Sequence, residues 1–125
     1  PYPLLTTLAS QDEDLVYSLT RVINENYDEF KNSDPGAIGW ALESQVFEWV
    51  VPYHDGAVNY WREIGVWTDE IQAHNQALIQ RQEVLASAWA EMAVRGVSGQ
   101  DEFIQAWQQL RAQRLEEAGF DPVWQ

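Results

Sequence analysis

Apolar residues recur along most of the chain at the spacing of amphipathic helices. Between Leu15 and Phe30 they appear every three or four residues, which places them on one face of a helix predicted to end near Lys31. Ser10 and Glu13 have the spacing of a capping box, in which each side chain accepts a hydrogen bond from the backbone amide of the other. The sequence therefore predicts that the first helix begins at this pair.

The sequence on either side of this helix predicts a short arm and two short helices. Residues 1–7 are apolar, which predicts an extended arm or an edge strand. Turn-forming residues at 32–36 end the first helix. A second helix is predicted over residues 39–49 and a third over residues 55–64, where Gly65 stops the third.

Two longer helices are predicted in the second half of the chain. Thr68 is a suitable cap for the first of them, and its apolar stripe over residues 71–92 advances in alternating steps of three and four. Arg81 lies at the centre of this stripe and disrupts a strict coiled-coil seam. The last helix is predicted over residues 100–118, with Ser98 as its cap.

These elements predict a fold class that is mainly α. Gly119 fits the left-handed position that follows a helix, which marks the end of the last helix. The total is about five helices in a small helical bundle, with at most one short N-terminal strand. At 125 residues, of which 46% are apolar, the chain has the size and core of one compact domain.

Charge excludes several classes of partner. The chain has 20 acidic and 7 basic residues, a net charge of −13, which opposes contact with nucleic acid and with anionic membrane surfaces. The acidity fits either a hydrated surface or a docking face for a basic partner. No apolar run approaches the roughly 20 residues of a membrane-spanning helix, so no direct membrane insertion is predicted. The chain has no cysteine, which excludes disulfide and thiolate chemistry.

No pattern in the sequence predicts a catalytic or metal site. Glu70 and His74 form an i, i+4 pair, but a second such histidine motif is absent, so the pair is interpreted as a helix surface and no metal is predicted. The adjacent acids Glu116 and Glu117 are interpreted as a solvated helix end. Residues 96–99 lack the lysine of a phosphate-binding loop. We therefore expect no enzyme and no cofactor, and keep a small enzyme as the weakest alternative.

Seven tryptophans are many for a chain of this length. They fit either a ligand-stacking surface or large anchors in a thin core, and we favour the core. Helix spacing predicts three of them in the core, and the other candidates are predicted to contact another chain or domain. The predicted core set is Trp40, Trp89 and Trp107, and the predicted contact set is Trp61, Trp67 and Trp124.

Two stretches carry a resemblance to a known family. Residues 51–67 read VPYHDGAVNYWREIGVW, and their key features are P-x-H-x-G-A, a Tyr-aromatic pair and E-x-G-x-W. Upstream, residues 2–7 read YPLLTT and residues 12–20 read DEDLVYSLT. In this order and at this separation, the stretches resemble the C-terminal part of the TAXI family, the solute-binding proteins of one class of TRAP transporters.

The resemblance implies a function in transport. Members of this family are extracytoplasmic, two-lobed receptors that capture a small organic anion and pass it to a membrane permease driven by an ion gradient. The resemblance covers residues 1–67, an arm plus three helices, and residues 68–125 then form a two-helix C-terminal extension expected to pack on it. The motif is expected to close the fold, and no ligand-binding residue is assigned.

Two hypotheses follow for the role of the chain. In the favoured one, it is a C-terminal fragment or domain of a periplasmic receptor, and its partners are the rest of the receptor polypeptide and the permease. In the alternative, it is a stand-alone helical interaction module that uses its long helix and its tryptophans to form a homodimer or to bind a partner.

Overall fold

The computed structural model describes residues 4–123, and it confirms that the fold is mainly α. Within this range no residue forms a strand, and Leu4 and Leu5 of the predicted arm have no regular secondary structure and are exposed. The described residues form five α-helices and two short 3₁₀ helices. The α-helices are α1 (Glu13–Glu25), α2 (Tyr27–Phe30), α3 (Asp55–Glu63), α4 (Asp69–Val94) and α5 (Gln100–Glu117). The 3₁₀ helices are Pro35–Trp40 and Leu42–Ser44.

The chain divides into two compact units between Asn75 and Gln76. Unit 1 contains α1, α2, α3, both 3₁₀ helices and the first turns of α4. Unit 2 contains the rest of α4 and α5. The division of the chain at residue 67 into a family-like segment and an extension stays a prediction.

The first helix differs from the prediction at both ends. Its N-cap is Asp12, whose Oδ1 accepts a hydrogen bond from the backbone amide of Leu15 at 2.9 Å, so the capping box of Ser10 and Glu13 was wrong. The carboxylate of Asp12 lies one residue before the helix, where it satisfies a free amide directly. At the other end, the Asn26 side chain donates to the carbonyl of Val22 at 2.8 Å and interrupts the helix before α2.

The predicted helix over residues 39–49 is not formed. The chain makes the two 3₁₀ helices there and then runs without regular structure to α3. The side chain of Gln45 donates to the carbonyls of Gly39 and Ala41 at 3.1 and 3.0 Å, and so binds oxygens that a continuing helix would pair with backbone amides. The apolar spacing in this segment therefore reflects packing of an irregular chain.

The core of unit 1 is centred on α3. The helix buries Gly56, Ala57, Val58, Tyr60 and Trp61. Aromatic and aliphatic side chains from elsewhere in the unit pack against this cluster, and they are Val16, Tyr17, Leu42, Phe47, Tyr53, Val66, Trp67 and Ile71. A helix of nine residues has little intrinsic stability in water, so its formation depends on this burial.

The core of unit 2 is built from the two long helices. Ala88, Met92 and Leu110 are buried, with Phe103 and Trp107 packed against them. The backbone leaves α4 and enters α5 through two glycines with positive φ, Gly96 at 64° and Gly99 at 109°, where L side chains are strained. The other residues with positive φ in the described chain are Gly65 and Gly119. Gly119 therefore has the predicted left-handed conformation.

Of the two N-caps predicted for the long helices α4 and α5, only that of α4 is confirmed. Thr68 Oγ1 accepts a hydrogen bond from the amide of Ile71 at 3.2 Å, as predicted. Gly99 precedes α5 and provides no side-chain cap, so Ser98 was wrong as the N-cap. Since the helix starts at Gln100, Ser98 lies one residue too early for that role.

Candidate interaction site

The family-like motif lies at the crossing of α1 and α3, and a glycine makes this crossing possible. A Cβ at Gly56 would collide with the carbonyl oxygen of Glu13 and would lie 2.9 Å from the backbone nitrogen of Tyr17. Both atoms belong to the backbone of α1, which cannot move aside as a flexible side chain could. The glycine of the P-x-H-x-G-A pattern is therefore required for the close approach of the two helices.

The histidine of the motif joins the start of α3 to the segment before α1. His54 Nδ1 accepts from the amide of Gly56 at 3.1 Å and acts as the N-cap of α3. Its Nε2 lies 3.1 Å from the carbonyl oxygen of Gln11. Because a carbonyl only accepts, Nε2 carries the proton in this arrangement, and both ring nitrogens are used in holding the fold.

Two side-chain hydrogen bonds link α1 to α3 further along the crossing. The hydroxyl of Tyr17 donates to Glu63 Oε2 at 2.5 Å, and Asn24 Nδ2 donates to the hydroxyl of Tyr60 at 2.8 Å. The hydrogen bond to Glu63 raises the pKa of Tyr17, with smaller contributions from desolvation and from the charge of Glu63. These tyrosines therefore form hydrogen bonds between the two helices besides filling space.

The aromatic residues of the motif form a contiguous cluster. Phe47 makes edge-on contacts with Trp61 and Trp67, with ring centroids 5.5 and 6.0 Å apart, and Tyr53 makes a similar contact with Trp67 at 5.4 Å. Burial raises the pKa of the Tyr53 hydroxyl. Trp61 and Trp67 are thus core residues, and the interpretation of them as contacts for another chain was wrong. Trp124 lies outside the described residues.

The first turns of α4 secure the motif through polar side chains that the sequence interpretation did not identify. The buried Asn75 accepts from the amide of Tyr53 through Oδ1 at 2.7 Å. Gln72 Oε1 accepts from Trp67 Nε1 at 2.8 Å and from Arg62 Nη2 at 2.6 Å. The sequence signal that could have identified Asn75 was its position between His74 and Leu78, on the side of α4 that carries apolar residues.

The acidic and histidine candidates take part in local bonds. His74 Nε2 donates to the carbonyl of Trp49 at 2.7 Å. Glu117 accepts hydrogen bonds from Gln113 and Arg114. These bonds lower the pKa of Glu117, and the bond from Gln113 contributes most. Glu116 is exposed. In the part of the chain that the structure describes, no group of three or more histidines or acids is arranged to hold a metal ion. No glutamate-histidine pair is therefore brought together with further ligands.

The outer face of α1 is apolar and uncovered. Leu15, Leu19 and Val22 are spaced by four and three residues and share one side of the helix, and they are 54%, 42% and 56% exposed. α1 buries none of its residues, although Val16 and Tyr17 pack against the core. The segment before the helix adds the exposed residues Leu4, Leu5 and Leu8. We call Leu15, Leu19 and Val22 the open face of α1.

The three tryptophans predicted in the core occupy different environments. Trp40 and Trp107 are half-buried, whereas Trp89 in unit 2 is 51% exposed. The interpretation of Trp89 as a core residue was therefore wrong. Its neighbours on the inner side of α4, Ala88 and Met92, fill the core instead.

Unit 1 is thus a small all-helical assembly with an aromatic core, a close crossing of two helices and one open apolar face. The model of the NMT1-like family matches residues 3–65, about half of the chain, and the chain belongs to that family. The family comprises periplasmic solute-binding-type proteins, which are typically extracytoplasmic. The matched range nearly coincides with the residues that resemble the TAXI family.

The other comparisons add no relative. No curated protein matches the chain, and no solved structure does. Among the described residues, no helix is both long enough and apolar enough to span a membrane.

Proposed function

We propose that residues 1–67 are the C-terminal part of a TAXI-type solute receptor of a TRAP transporter. Such a receptor captures a small organic anion outside the cytoplasm and delivers it to a permease. In this proposal the chain has a structural and docking role, is not an enzyme and binds no nucleic acid. Its partners are the rest of the receptor polypeptide and the permease.

The open face of α1 carries this proposal. An amphipathic helix gains stability by burying its apolar side, and covering the exposed half of a leucine or valine contributes on the order of 1 kcal/mol. Leu15, Leu19 and Val22 remain exposed in the described chain, next to the exposed apolar segment that precedes α1. A further part of a receptor packed there would bury both.

The motif around α3 also supports a structural role for this part of the chain, with the ligand bound elsewhere in the receptor. His54, Gly56 and Tyr60 are used in capping, close packing and hydrogen bonding within unit 1. A small-ligand site needs a concave pocket with a few free polar groups, and these residues are already engaged. The ligand contacts would therefore be made by other parts of the receptor.

The proposal can be tested by calorimetric titration with glutamate and other small carboxylates. The 125-residue chain is expected to give no saturable heat, and the polypeptide of the complete reading frame is expected to bind one of these anions. Tight binding of a carboxylate by the 125-residue chain would contradict the proposal. So would a reading frame that begins near Pro1 with no receptor lobe before it.

The second candidate function is a stand-alone helical interaction or dimerisation module. The observation that favours it is Trp89, a large aromatic side chain that is 51% exposed in unit 2. Tryptophan is among the residues most enriched at protein interfaces. The same reading frame separates the two candidates, because a start near Pro1 would favour the module.

A further inference from the structure

The open face of α1 belongs to the more acidic of the two units. Unit 1 has 13 acidic and 3 basic residues, a net charge of −10, whereas unit 2 has 7 acidic and 4 basic residues, a net charge of −3. A surface that covers Leu15, Leu19 and Val22 must therefore approach a strongly negative unit. A negative covering surface would be repelled, and a positive one would be attracted.

The basic residues of unit 1 leave most of its acids without a cation. The two ion pairs that they form are Arg21–Glu25 at 2.9 Å and Lys31–Asp28 at 2.7 Å. The third basic residue, Arg62, donates instead to the neutral side chain of Gln72. The other eleven acids of unit 1 form no ion pair within residues 4–123. The negative charge of unit 1 is therefore not balanced by the part of the chain that the structure describes.

The charges that border the open face are also net negative. By helical spacing, Asp14, Arg21 and Glu25 lie along one border of the face. Because Arg21 and Glu25 neutralise each other, Asp14 supplies the net charge of this border. Asp12 lies at the N-terminal end of the face, where it accepts from the amide of Leu15. Both aspartates are exposed, so a cation beside the apolar stripe could reach them.

We propose that the open face of α1 binds a basic amphipathic segment of the rest of the receptor polypeptide. The apolar side of that segment covers Leu15, Leu19 and Val22, and its lysines or arginines lie beside Asp12 and Asp14. This inference rests on the proposed function and adds the chemistry of the segment. Charge disfavours the other occupants, because a second copy presents another unit of charge −10 and an anionic membrane is negative as well.

The size of the face suits a short helical segment. Leu15 and Val22 are seven residues apart, which is about 10 Å along the helix axis. Two to three turns of a second helix, with apolar residues at three- and four-residue spacing, match this length. A model peptide of this design is therefore an adequate probe.

The first test is a fluorescence anisotropy titration of the 125-residue chain into a labelled peptide. The peptide is helical, with leucines along one side and lysines on both borders of the leucine stripe, and a matched peptide has glutamates in place of the lysines. The lysine peptide is expected to bind saturably and the glutamate peptide not to bind. Leu19→Gln in the chain is expected to weaken binding at least about tenfold, and Asp14→Asn about threefold.

The matched control variants are in unit 2. Val94→Gln changes an apolar residue that is 83% exposed, and Asp101→Asn changes an exposed acid in the first turn of α5, as Asp14 is in α1. Neither substitution is expected to change the affinity for the lysine peptide. Circular dichroism of each variant checks that the helices are retained.

The second test locates the bound peptide by carbodiimide coupling, which joins a carboxylate to a lysine amine in contact with it. Lys31 is the one lysine of the chain, so products with peptide lysines are readily distinguished by mass spectrometry. Coupling is expected at Asp12 and Asp14 and not at Asp101 and Glu102, the first acids of α5. Added sodium chloride is expected to weaken binding, because it screens the attraction between opposite charges.

Several results would overturn this proposal. They are the absence of saturable binding by the lysine peptide, equal binding of the glutamate peptide, no effect of Leu19→Gln, equal coupling to the acids of α1 and α5, and binding that tightens with salt. These results leave the receptor proposal standing, because that proposal depends on the anion titration and on the reading frame. A reading frame that begins near Pro1 would instead remove the receptor as the source of the segment, whatever the peptide shows.

Discussion

Helices α1 and α3 pack on each other, yet they use their apolar residues differently. Five residues of α3 are buried, among them Tyr60 and Trp61, whereas α1 buries none. The side of α1 that meets α3 is made mostly by Val16, Tyr17 and Asn24, and the more apolar side faces outward. The core of unit 1 is thus complete around α3 and leaves α1 with a second face available for packing.

This comparison shows that apolar periodicity identifies a helix without identifying what covers it. The stripe from Leu15 to Phe30 predicts an amphipathic helix, and α1 is one. The residues of that stripe at positions 15, 19 and 22 are nevertheless exposed. The receptor proposal gives this open face a partner, and the following predictions test each side of the comparison.

The largest effect is expected at the crossing itself. Gly56→Ala places a Cβ against the backbone of α1, near Glu13 and Tyr17, and forces the helices apart. The expected loss in free energy of unfolding is about 3 kcal/mol, measured by urea denaturation. The control is Gly65→Ala, where φ is 78° but nothing lies within 4 Å of the new Cβ, and about 1 kcal/mol is expected. Equal losses for the two variants would contradict a packing role for Gly56.

A smaller loss is expected when the cap of α3 is removed. His54→Ala deletes the acceptor for the Gly56 amide and the donor to the Gln11 carbonyl, which should reduce the free energy of unfolding by about 1.5 kcal/mol. His54→Asn keeps a side-chain oxygen suited to an N-cap and should recover part of this loss. If asparagine is no better than alanine, capping is not the main contribution of His54.

The hydrogen bond between Tyr17 and Glu63 gives a weak dependence of stability on alkaline pH. The pKa of Tyr17 is raised in the folded chain by that bond, so the folded state holds this proton more tightly than the unfolded state. The stabilisation is fully present below the unfolded pKa of tyrosine and is lost as pH rises through the folded pKa. Melting curves of wild type and Tyr17→Phe should therefore differ near neutral pH and converge at high pH. A constant difference across this range would argue against the bond.

The smallest effect is expected on the open face of α1. Leu19→Gln removes an exposed apolar side chain, and the free energy of unfolding of the 125-residue chain should change by no more than about 0.5 kcal/mol. Val58→Ala, at a buried position on α3, should cost about 2 kcal/mol. Denaturation of the two variants side by side measures the contrast, and a loss for Leu19→Gln as large as that for Val58→Ala would mean that the face is covered within this chain.

The sequence was sufficient to predict α3, α4 and α5 because strong local signals bound each of them. Thr68 caps α4, and Gly119 follows α5 with positive φ, as their residue types indicate. The helix over residues 39–49 was predicted from apolar spacing alone. Local propensity does not reveal that the Gln45 side chain binds two backbone carbonyls there, because that contact depends on the folded chain.

The candidate site was predictable in part. The motif around His54 and Gly56 was recognised from its residues, and its structural role was expected. The placement of Trp61 in the contact set and of Trp89 in the core was wrong, because spacing alone does not show which apolar positions are covered. Which side of an amphipathic element is covered depends on the tertiary arrangement, and a single sequence does not contain that information in a local pattern.

The most direct test of the central claim uses the absence of cysteine in the chain. Leu19→Cys introduces a single thiol on the open face of α1, and Val58→Cys is the buried control. Maleimide should label Leu19→Cys rapidly in the 125-residue chain and at least about tenfold more slowly in the polypeptide of the complete reading frame, where the proposed receptor lobe would cover the face. Equally rapid labelling in both, with Val58→Cys protected in both, would contradict the account.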